Sequence, residues 1–579
     1  MFVWSVRTLY IQLIRGVDKN IVATFPVKGK RGAIYDRNGR KMAYDVKVSD
    51  IVLKDCRTKN AYEIALFMNR NFNLEIDRTV ERISSEGAGS LKLLSNANRN
   101  RINQVLDEIN QIEELEVGVE REGRYYPQNN LASHVIGNLR GDREGWGAER
   151  DLNDFLKAKT DSLSHFILNS GKRIPAYNKS DYEILSGRDI ILTIDIDYQK
   201  ILSEELLKQL KLTNSEYANG IIVDPFSGEI LAMVTLPSPD LNKPLKTSEL
   251  TRNRTINHSE EPGSTIKTFS IIAGLDNDII DLSEKVYCEA GDKVGEEVSY
   301  LFPEIGREIK DHEGRDTISV KDVLAYSSNI GTVRLSLKIG KAPIYNTLKK
   351  FGFGGRTGID FLKEENKGII RPFEDWDNYS WSSIPIGQEM RSNNLQLAMA
   401  YSAIANGGYL VEPKLIKEIS NYSIENSPAI IRRVAKQETI VEIVKALKSV
   451  VEKGTASKHK ADYCFYGKTG TAQVYVQAED FYDLNGDDEY SLDVDDFKLD
   501  IHDTDGNGEW SKGGYSNSIY MPSFAGVFPC DNPQIVCIIS FFNPDTNINS
   551  NYKWASITAV PVAQEVFRRL KLKDKDLVL

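Results

Sequence analysis

Apolar and polar positions alternate differently along the chain. From residue 15 to 185, strand-like apolar runs are separated by polar pieces and several Gly-rich turns. Lys30–Asp45 reads as strand, turn, strand, with Asn38-Gly39 supplying the hairpin signal. Arg124–Leu156 is punctuated by glycines and ends in a helical pattern. Near Asn178–Lys200 a polar stretch gives way to a strand over Asp189–Asp195. The next segment predicts an amphipathic helix, with Ile201, Leu202, Leu206, Leu207 and Leu210 on one stripe. Asn219–Pro237 places two apolar runs around a turn at Asp224–Gly228, which predicts a buried antiparallel hairpin. Pro262–Gly454 is mostly helical in spacing, including Asn393–Gly408. Strands return from Asp462, over Tyr463–Val476, Pro522–Pro529 and Gln534–Phe542, before a closing helix at Val560–Leu570. Strands, a helical block, then strands and a helix describe an α+β domain whose sheet is built from both ends of the sequence. No repeat of 20–50 residues is present.

Composition changes this picture little. The 579 residues leave room for two or more domains with full cores, and 41% hydrophobic with 27% charged residues is neither fibrous nor broadly disordered. The net charge of −10 is local, because Glu479–Glu509 holds thirteen acidic residues and one lysine. The remaining chain is then near neutral, so a nucleic-acid partner gets no support. The cysteines are Cys56, Cys288, Cys464, Cys530 and Cys537; they form no CxxC and no Cys/His cluster of zinc spacing. Cys530 and Cys537 flank a turn and a strand, which would hold them too far apart to bridge easily. The expectation is no structural disulfide and no metal framework. At the N-terminus, MFVWSVRTLYIQLI is apolar but only 14 residues long and broken by Arg7. A membrane span needs about 20 apolar residues, and the layout is not that of a cleavable signal peptide. The segment reads as an amphipathic helix or as the outer end of a span.

Candidate chemistry begins at EEPGSTIKTFSIIAGL, Glu260–Leu275. Ser264 follows a Pro-Gly pair and opens an apolar helical run, where its hydroxyl could cap the helix. It could also be a nucleophile, because Lys267 lies three residues on and shares its helical face. A serine nucleophile needs a base, an oxyanion hole and a substrate clamp, and a lysine base must be neutral to act. Ser-x-x-Lys occurs three times, at Ser264/Lys267, Ser457/Lys460 and Ser550/Lys553, the last two in polar, unpatterned surroundings. Ser327-Ser328-Asn329 supplies Ser-x-Asn, which recurs at Ser392/Asn394, whereas Lys468-Thr469-Gly470 occurs once, at the end of an apolar strand. The separations, 63 and then 141 residues, leave room for a helical lobe between the motifs. Ser-x-x-Lys, Ser-x-Asn and Lys-Thr-Gly in this order form the set of penicillin-binding proteins and class A β-lactamases. With all three present, the nucleophile reading of Ser264 displaces the cap.

Over nearly its whole length the chain resembles the class B penicillin-binding proteins, most closely the division type that makes septal peptidoglycan. RGAIYDRNG (Arg31–Gly39) and YPQNNLASHVIGNLRGDREGWGAE (Tyr126–Glu149) resemble two blocks of that family's pedestal domain. EPGSTIKTF, SSNIGT, FGFGGRTGIDF and YGKTGTAQ resemble its transpeptidase blocks. Elongation-type relatives usually carry Asp in place of Asn329, which favours the division type.

The resemblance implies an elongated N-terminal pedestal of the dimerisation type over 18–185, following an anchor remnant or amphipathic helix at 1–17. It implies a transpeptidase domain over 186–575, an antiparallel sheet with flanking helices and an all-helical lobe, with an acidic insertion at 477–517. Ser264 would attack the penultimate D-Ala carbonyl of a stem peptide and Lys267 would take its proton. Ser327 would relay a proton to the leaving D-Ala, and Asn329 would orient Lys267 and a substrate amide. Lys468 would supply the positive potential that keeps Lys267 neutral. Thr469, Gly470 and Thr471 would form the binding strand, the two threonines holding the terminal carboxylate. The backbone N–H groups of Ser264 and Thr471 would form the oxyanion hole. β-Lactams would acylate Ser264 as mimics of D-Ala-D-Ala, and no cofactor is implied.

No glycosyltransferase domain precedes the pedestal, so a separate membrane polymerase of the SEDS family and division-complex membrane proteins are the implied partners. The catalytic domain is expected on the outer, periplasmic side of the cytoplasmic membrane, held by one N-terminal anchor. Several features depart from the family pattern or invite another reading. Glu260 stands where relatives usually have an aromatic residue. Within the acidic insertion, Asp503, Asp505 and Asn507 resemble half of an EF-hand loop, but Gly514 replaces the bidentate glutamate, which favours a solvated loop over calcium. His134 reads as structural. The rival readings are an elongation-type enzyme, a D,D-carboxypeptidase or β-lactamase on the same fold, and a β-lactam sensor.

Overall fold

The computed structural model describes residues 22–140, 144–167, 173–245, 247–424, 427–458, 461–476, 481–482, 496–497 and 513–574. The N-terminal segment 1–17, most of the acidic insertion and the calcium candidates Asp503, Asp505 and Asn507 lie outside the described residues. No helix among the described residues is long and apolar enough to cross a membrane.

The C-terminal part of the chain is organised by one five-stranded antiparallel sheet. Its spatial order is Ile230–Leu236, Tyr217–Val223, Ile535–Phe542, Gly514–Phe528, Tyr466–Val476, so both ends of the sequence contribute, as the alternation of apolar runs predicts. The three strands Tyr217–Val223, Ile230–Leu236 and Ile535–Phe542 are buried on both faces and therefore split between two cores. Ile221, Val223, Met233, Val536 and Ile538 face the helical lobe. Ile222, Ala232, Val234, Cys537 and Ile539 face the helices Ile196–Thr213 and Val560–Lys573. The helix Asn394–Ala405 is buried all round, which its apolar and small residues from Leu397 onward allow. Of the predicted stripe on Ile196–Thr213, Leu207 falls outside, 40% exposed, while Leu202 and Leu206 are buried.

The lobe between the motifs is not wholly helical. Val298–Phe302 and Arg307–Asp311 form an antiparallel ribbon across a turn at Gly306. Val298, Phe302, Ile309 and Asp311 point inward while Ser299 and Leu301 point out, a period-2 burial that the residue types blur, since Leu301 faces out and Asp311 in.

The pedestal's two sequence blocks meet in the fold. Arg31 donates from Nη2 to Glu149 Oε2 at 2.7 Å, and Arg124 donates from Nε to Glu149 Oε1 at 2.6 Å, with the Glu149 side chain 1% exposed. Trp146 Nε1 donates to Ser133 O at 3.2 Å in the same block. His134 is buried against Leu250 O at 3.0 Å, and burial pushes its imidazole down to about 4, which fits the structural reading. The strand Ile190–Leu192, which follows the helix Lys179–Leu185, pairs with Ile34–Tyr35 on one side and Ile416–Ile419 on the other. A single sheet thereby stitches the two halves together.

The cysteine expectation is corrected. Cys464 and Cys530 form a disulfide, with Cα atoms 5.3 Å apart. Cys464 leads into the strand Tyr466–Val476 and Cys530 follows the strand Gly514–Phe528, and the antiparallel register Tyr466↔Val527 brings those two ends together. The bond depends on a strand pairing across the insertion, which the linear spacing of the cysteines does not reveal. It closes a loop of 66 residues, for which chain entropy gives about 4 kcal/mol as the upper end. The double substitution Cys464→Ser/Cys530→Ser is expected to lower stability in urea by about 2–4 kcal/mol, and added reductant should then change the wild type but not the variant.

Candidate active site

The nucleophile candidate sits on a turn with little conformational choice. Gly263, at φ +54°, opens a 3₁₀ turn over Gly263–Ile266 that runs into the helix Lys267–Asp276. Lys267 N–H donates to Ser264 O, and in a 3₁₀ turn the side chains at i and i+3 eclipse, so both share one face. Ser264 does not cap either helix and its hydroxyl makes no hydrogen bond among the described residues, which leaves it free at a half-buried position. The turn is braced from behind. Tyr401 Oη donates to Thr265 O at 3.0 Å, and Phe269 packs edge-on against Phe351, Phe353 and Tyr401. Gly263 N–H donates to Gly387 O at 3.1 Å. A Cβ on Gly387 would lie 1.9 Å from Gly263 O, so the two chains approach only because that residue is glycine.

The second motif follows the helix Val320–Tyr326, with Ser327 in the left-handed region at φ +60° and Ser328 capping the helix Asn329–Ile339 through Gly331 N–H. The third lies on the edge strand Tyr466–Val476, whose other side pairs with Gly514–Phe528 in the register Lys468↔Ala525, Thr471↔Pro522. A Cβ on Gly470 would meet Ser523 Oγ at 2.5 Å and Pro262 O at 3.0 Å, so glycine there lets the motif strand close on the nucleophile turn.

These elements bring the predicted groups together. Lys267 Nζ donates to Ser327 O at 2.5 Å and to Asn329 Oδ1 at 2.6 Å, and lies 3.3 Å from Ser327 Oγ. Lys468 Nζ reaches the same Ser327 hydroxyl at 2.9 Å and Thr469 O at 3.0 Å. Thr469 Oγ1 is 2.6 Å from Thr455 Oγ1. Thr471 Oγ1 accepts from Ala555 N–H at 3.4 Å, which leaves its own O–H free to donate. Of the two further Ser-x-x-Lys pairs, Lys460 lies outside the described residues and Ser550 starts a short 3₁₀ turn, with Lys553 over the rings of Tyr520 and Trp554.

Both lysines are fully buried. Burial pushes Lys267 down to about 7, against an upward pull from Asp311. Burial, and then the charge on Lys267, pushes Lys468 well below its ordinary value. Two ammonium groups on one buried hydroxyl repel, so near neutral pH the pair carries one proton at most comfortably. Burial is the largest influence on Lys267 and favours its neutral, basic form.

Asp311 is the group that sequence reasoning missed. Its carboxylate, 3% exposed, accepts from Ser328 Oγ at 2.5 Å, from Ile330 N–H at 3.2 Å and from Asn329 N–H. The neighbouring Lys310 O accepts from Asn329 Nδ2 at 2.7 Å. A carboxylate on the apolar face of an amphipathic strand, in step with Ile309, was the available signal.

The matched family models lie on these elements. The penicillin-binding protein transpeptidase domain matches over residues 220–487, and the penicillin-binding protein dimerisation domain over 26–165. The chain belongs to the class B penicillin-binding proteins. It is similar to the probable peptidoglycan D,D-transpeptidase PbpC of Pseudomonas aeruginosa, 28% identical over 91% of this chain and 84% of that protein. It is also similar to the stage V sporulation protein D of Bacillus subtilis, 26% identical over 97% of this chain and 82% of that one. In fold it matches penicillin-binding protein 3 of Mycobacterium tuberculosis complexed with aztreonam, with a TM-score of 0.65, 22% identity, and coverage of 95% of this chain and 97% of that one. As a class B penicillin-binding protein the chain is a serine transpeptidase, with peptidoglycan stem peptides as substrate and β-lactams as ligands.

The departure at Glu260 acquires a location. Its carboxylate lies 2.6 Å from His258 Nε2, and His258 in turn packs edge-on against Tyr217. The next residue, Glu261, is held differently in this penicillin-binding protein. Its Oε1 accepts from Glu389 N–H at 2.7 Å and Tyr515 Oη at 2.9 Å, and its buried Oε2 has no partner among the described residues. Burial pushes its carboxyl up to about 7. The folded protein therefore holds a proton that the unfolded chain releases, and this contribution to stability fades as pH rises from about 4.5 to about 7. Glu261→Gln does not titrate, so relative to wild type it should gain about 1–3 kcal/mol between pH 5 and pH 8 in urea melts. A gap that stays constant with pH would refute the buried-proton account.

Proposed function

We propose that Ser264, Lys267, Ser327, Asn329 and Lys468 carry a two-step acyl transfer. Lys267, neutral, takes the Ser264 proton as Oγ attacks the penultimate D-Ala carbonyl of a donor stem peptide. The oxyanion forms against the N–H groups of Ser264 and Thr471. The Ser264 N–H lies in the first helical turn, where backbone N–H groups lack intrahelical partners. The C–N bond then breaks, and the leaving D-Ala amine takes a proton through the Ser327 hydroxyl. An amine of a second stem peptide attacks the ester, forms the crosslink and returns Ser264 to its free state. Thr469 and Thr471 hold the terminal carboxylate. Asn329 holds Lys267 through Oδ1, and its Nδ2, with one N–H on Lys310 O, keeps the other for a substrate amide.

The observation that carries this reading is the Ser327 hydroxyl within reach of two buried lysines, at 2.9 and 3.3 Å. D-Ala release from a stem-peptide donor, measured with and without an acceptor amine, tests it. Acceptor-dependent release with a crosslinked product is expected. Release to free acid alone, indifferent to the amine, would make the protein a carboxypeptidase.

The setting we propose is septal synthesis, on the strength of Asn329 in the Ser-x-Asn motif. The domain boundary lies at 185/186, the enzyme works beside a SEDS-family polymerase and division-complex membrane proteins, and the catalytic domain faces outward from an N-terminal anchor. A fluorescent fusion that follows the sidewall, and is absent from the septum, would replace this with the elongation role.

A further inference from the structure

An aromatic contact joins the two walls around the Ser264 cleft. His312 follows Asp311, at the end of the strand whose Asp311 and Lys310 hold Ser328 and Asn329. Trp554 precedes Ala555, whose N–H donates to Thr471 Oγ1. The two rings meet edge to face, with centroids 5.0 Å apart and planes at 74°. His312 comes from the ribbon of the helical lobe, and Trp554 from the loop between the strand Ile535–Phe542 and the closing helix. The contact therefore ties the wall carrying Ser-x-Asn to the wall carrying Lys-Thr-Gly. Neither ring is locked in a core. The His312 side chain is 62% exposed, with Glu297 Oε2 at 3.4 Å, and Trp554 is half-buried, with Lys553 Nζ 5.1 Å from its ring centre.

We infer that His312 and Trp554 form a strap across the cleft that selects acyl donors by the bulk of the group they carry. An exposed edge-to-face pair is a weak contact, so strapped and open states coexist, and breaking the pair shifts their ratio by about two- to tenfold. A compact donor fits beneath the strap and reacts in both states. A bulky donor reacts only in the open one, so its apparent rate scales with the open fraction. The inference rests on the proposed acylation of Ser264.

The test uses the full chain and two penicillins with a common nucleus, one with a small side chain and one carrying a bulky fluorophore. The measured quantity is the second-order acylation rate. His312→Ala and Trp554→Ala are each expected to speed the bulky reagent by about two- to tenfold and to change the small one less than twofold. The double variant should be no faster than either single one, because both remove the same contact. Equal slowing of both reagents would mean that the rings build the site instead, and additive gains or unchanged rates would also overturn the strap. His312 is exposed, so its variant carries the test if Trp554→Ala does not fold. Failure of the wild type to react with either penicillin would refute the acylation reading, an outcome separate from any change in the ratio.

Discussion

Ser264→Ala is expected to abolish covalent labelling by a fluorescent penicillin, and Lys267→Met to slow it by about a hundred- to ten-thousandfold, the range of general base catalysis. Methionine keeps the length and apolar stem of a fully buried side chain while removing its amine, so the fold should survive. The wild type should show the base directly. Lys267 is protonated below about 7, and only the neutral amine can take the serine proton. The acylation rate should therefore fall about tenfold per pH unit below that point and level off above it. The lysine variant should lose this limb together with the rate. Undiminished labelling of Ser264→Ala would overturn the site assignment. A flat rate between pH 5 and 8 would overturn the role of Lys267 while leaving Ser264 in place.

The second large effect is expected at Asp311, a residue with no hydrogen bond to Ser264 or Lys267. Asp311→Ala leaves the Ser328 hydroxyl and two backbone N–H groups without their acceptor in a buried setting. Each unsatisfied buried donor costs about 1–3 kcal/mol, so with three of them a loss of at least about 3 kcal/mol is expected in urea melts. Acylation should slow by about a hundredfold, because the loop that holds Ser327 and Asn329 against Lys267 loses its anchor. Asp311→Asn separates positioning from packing. It retains one acceptor oxygen but removes the negative charge that pulls the Lys267 value upward. Its pH limb should move to lower pH, and a limb that stays in place would show that Asp311 acts through packing alone.

Much of this was legible before the fold. Ser264, Lys267, Ser327, Asn329 and Lys468 were assigned from three motifs in order, and the structure gathers all but the Ser264 hydroxyl into one hydrogen-bonded group. Ser264 joins them through the turn that carries Lys267. The sheet built from both ends followed from the apolar runs near each end of the domain, because strands buried on both faces read as continuous apolar runs. The ribbon carrying Asp311 is buried on one face only and lay within a stretch dominated by helical spacing, so it was not read from the sequence. The inward-facing acid on its last residue was its one distinctive sign.

What the sequence by itself determined is the inventory: which residue types stand at which local spacings, hence the motif turns, the helix faces and the order of strands. Only the tertiary structure decided the relations across long separations. The Cys464–Cys530 bond, the Asp311 anchor 17 and 18 residues from the groups it holds, the Glu261–Tyr515 hydrogen bond and the His312–Trp554 contact all depend on which strand ends meet. The basicity of Lys267 belongs there too. An amine's neighbours in sequence do not set its pKa, because desolvation is a property of everything packed around it.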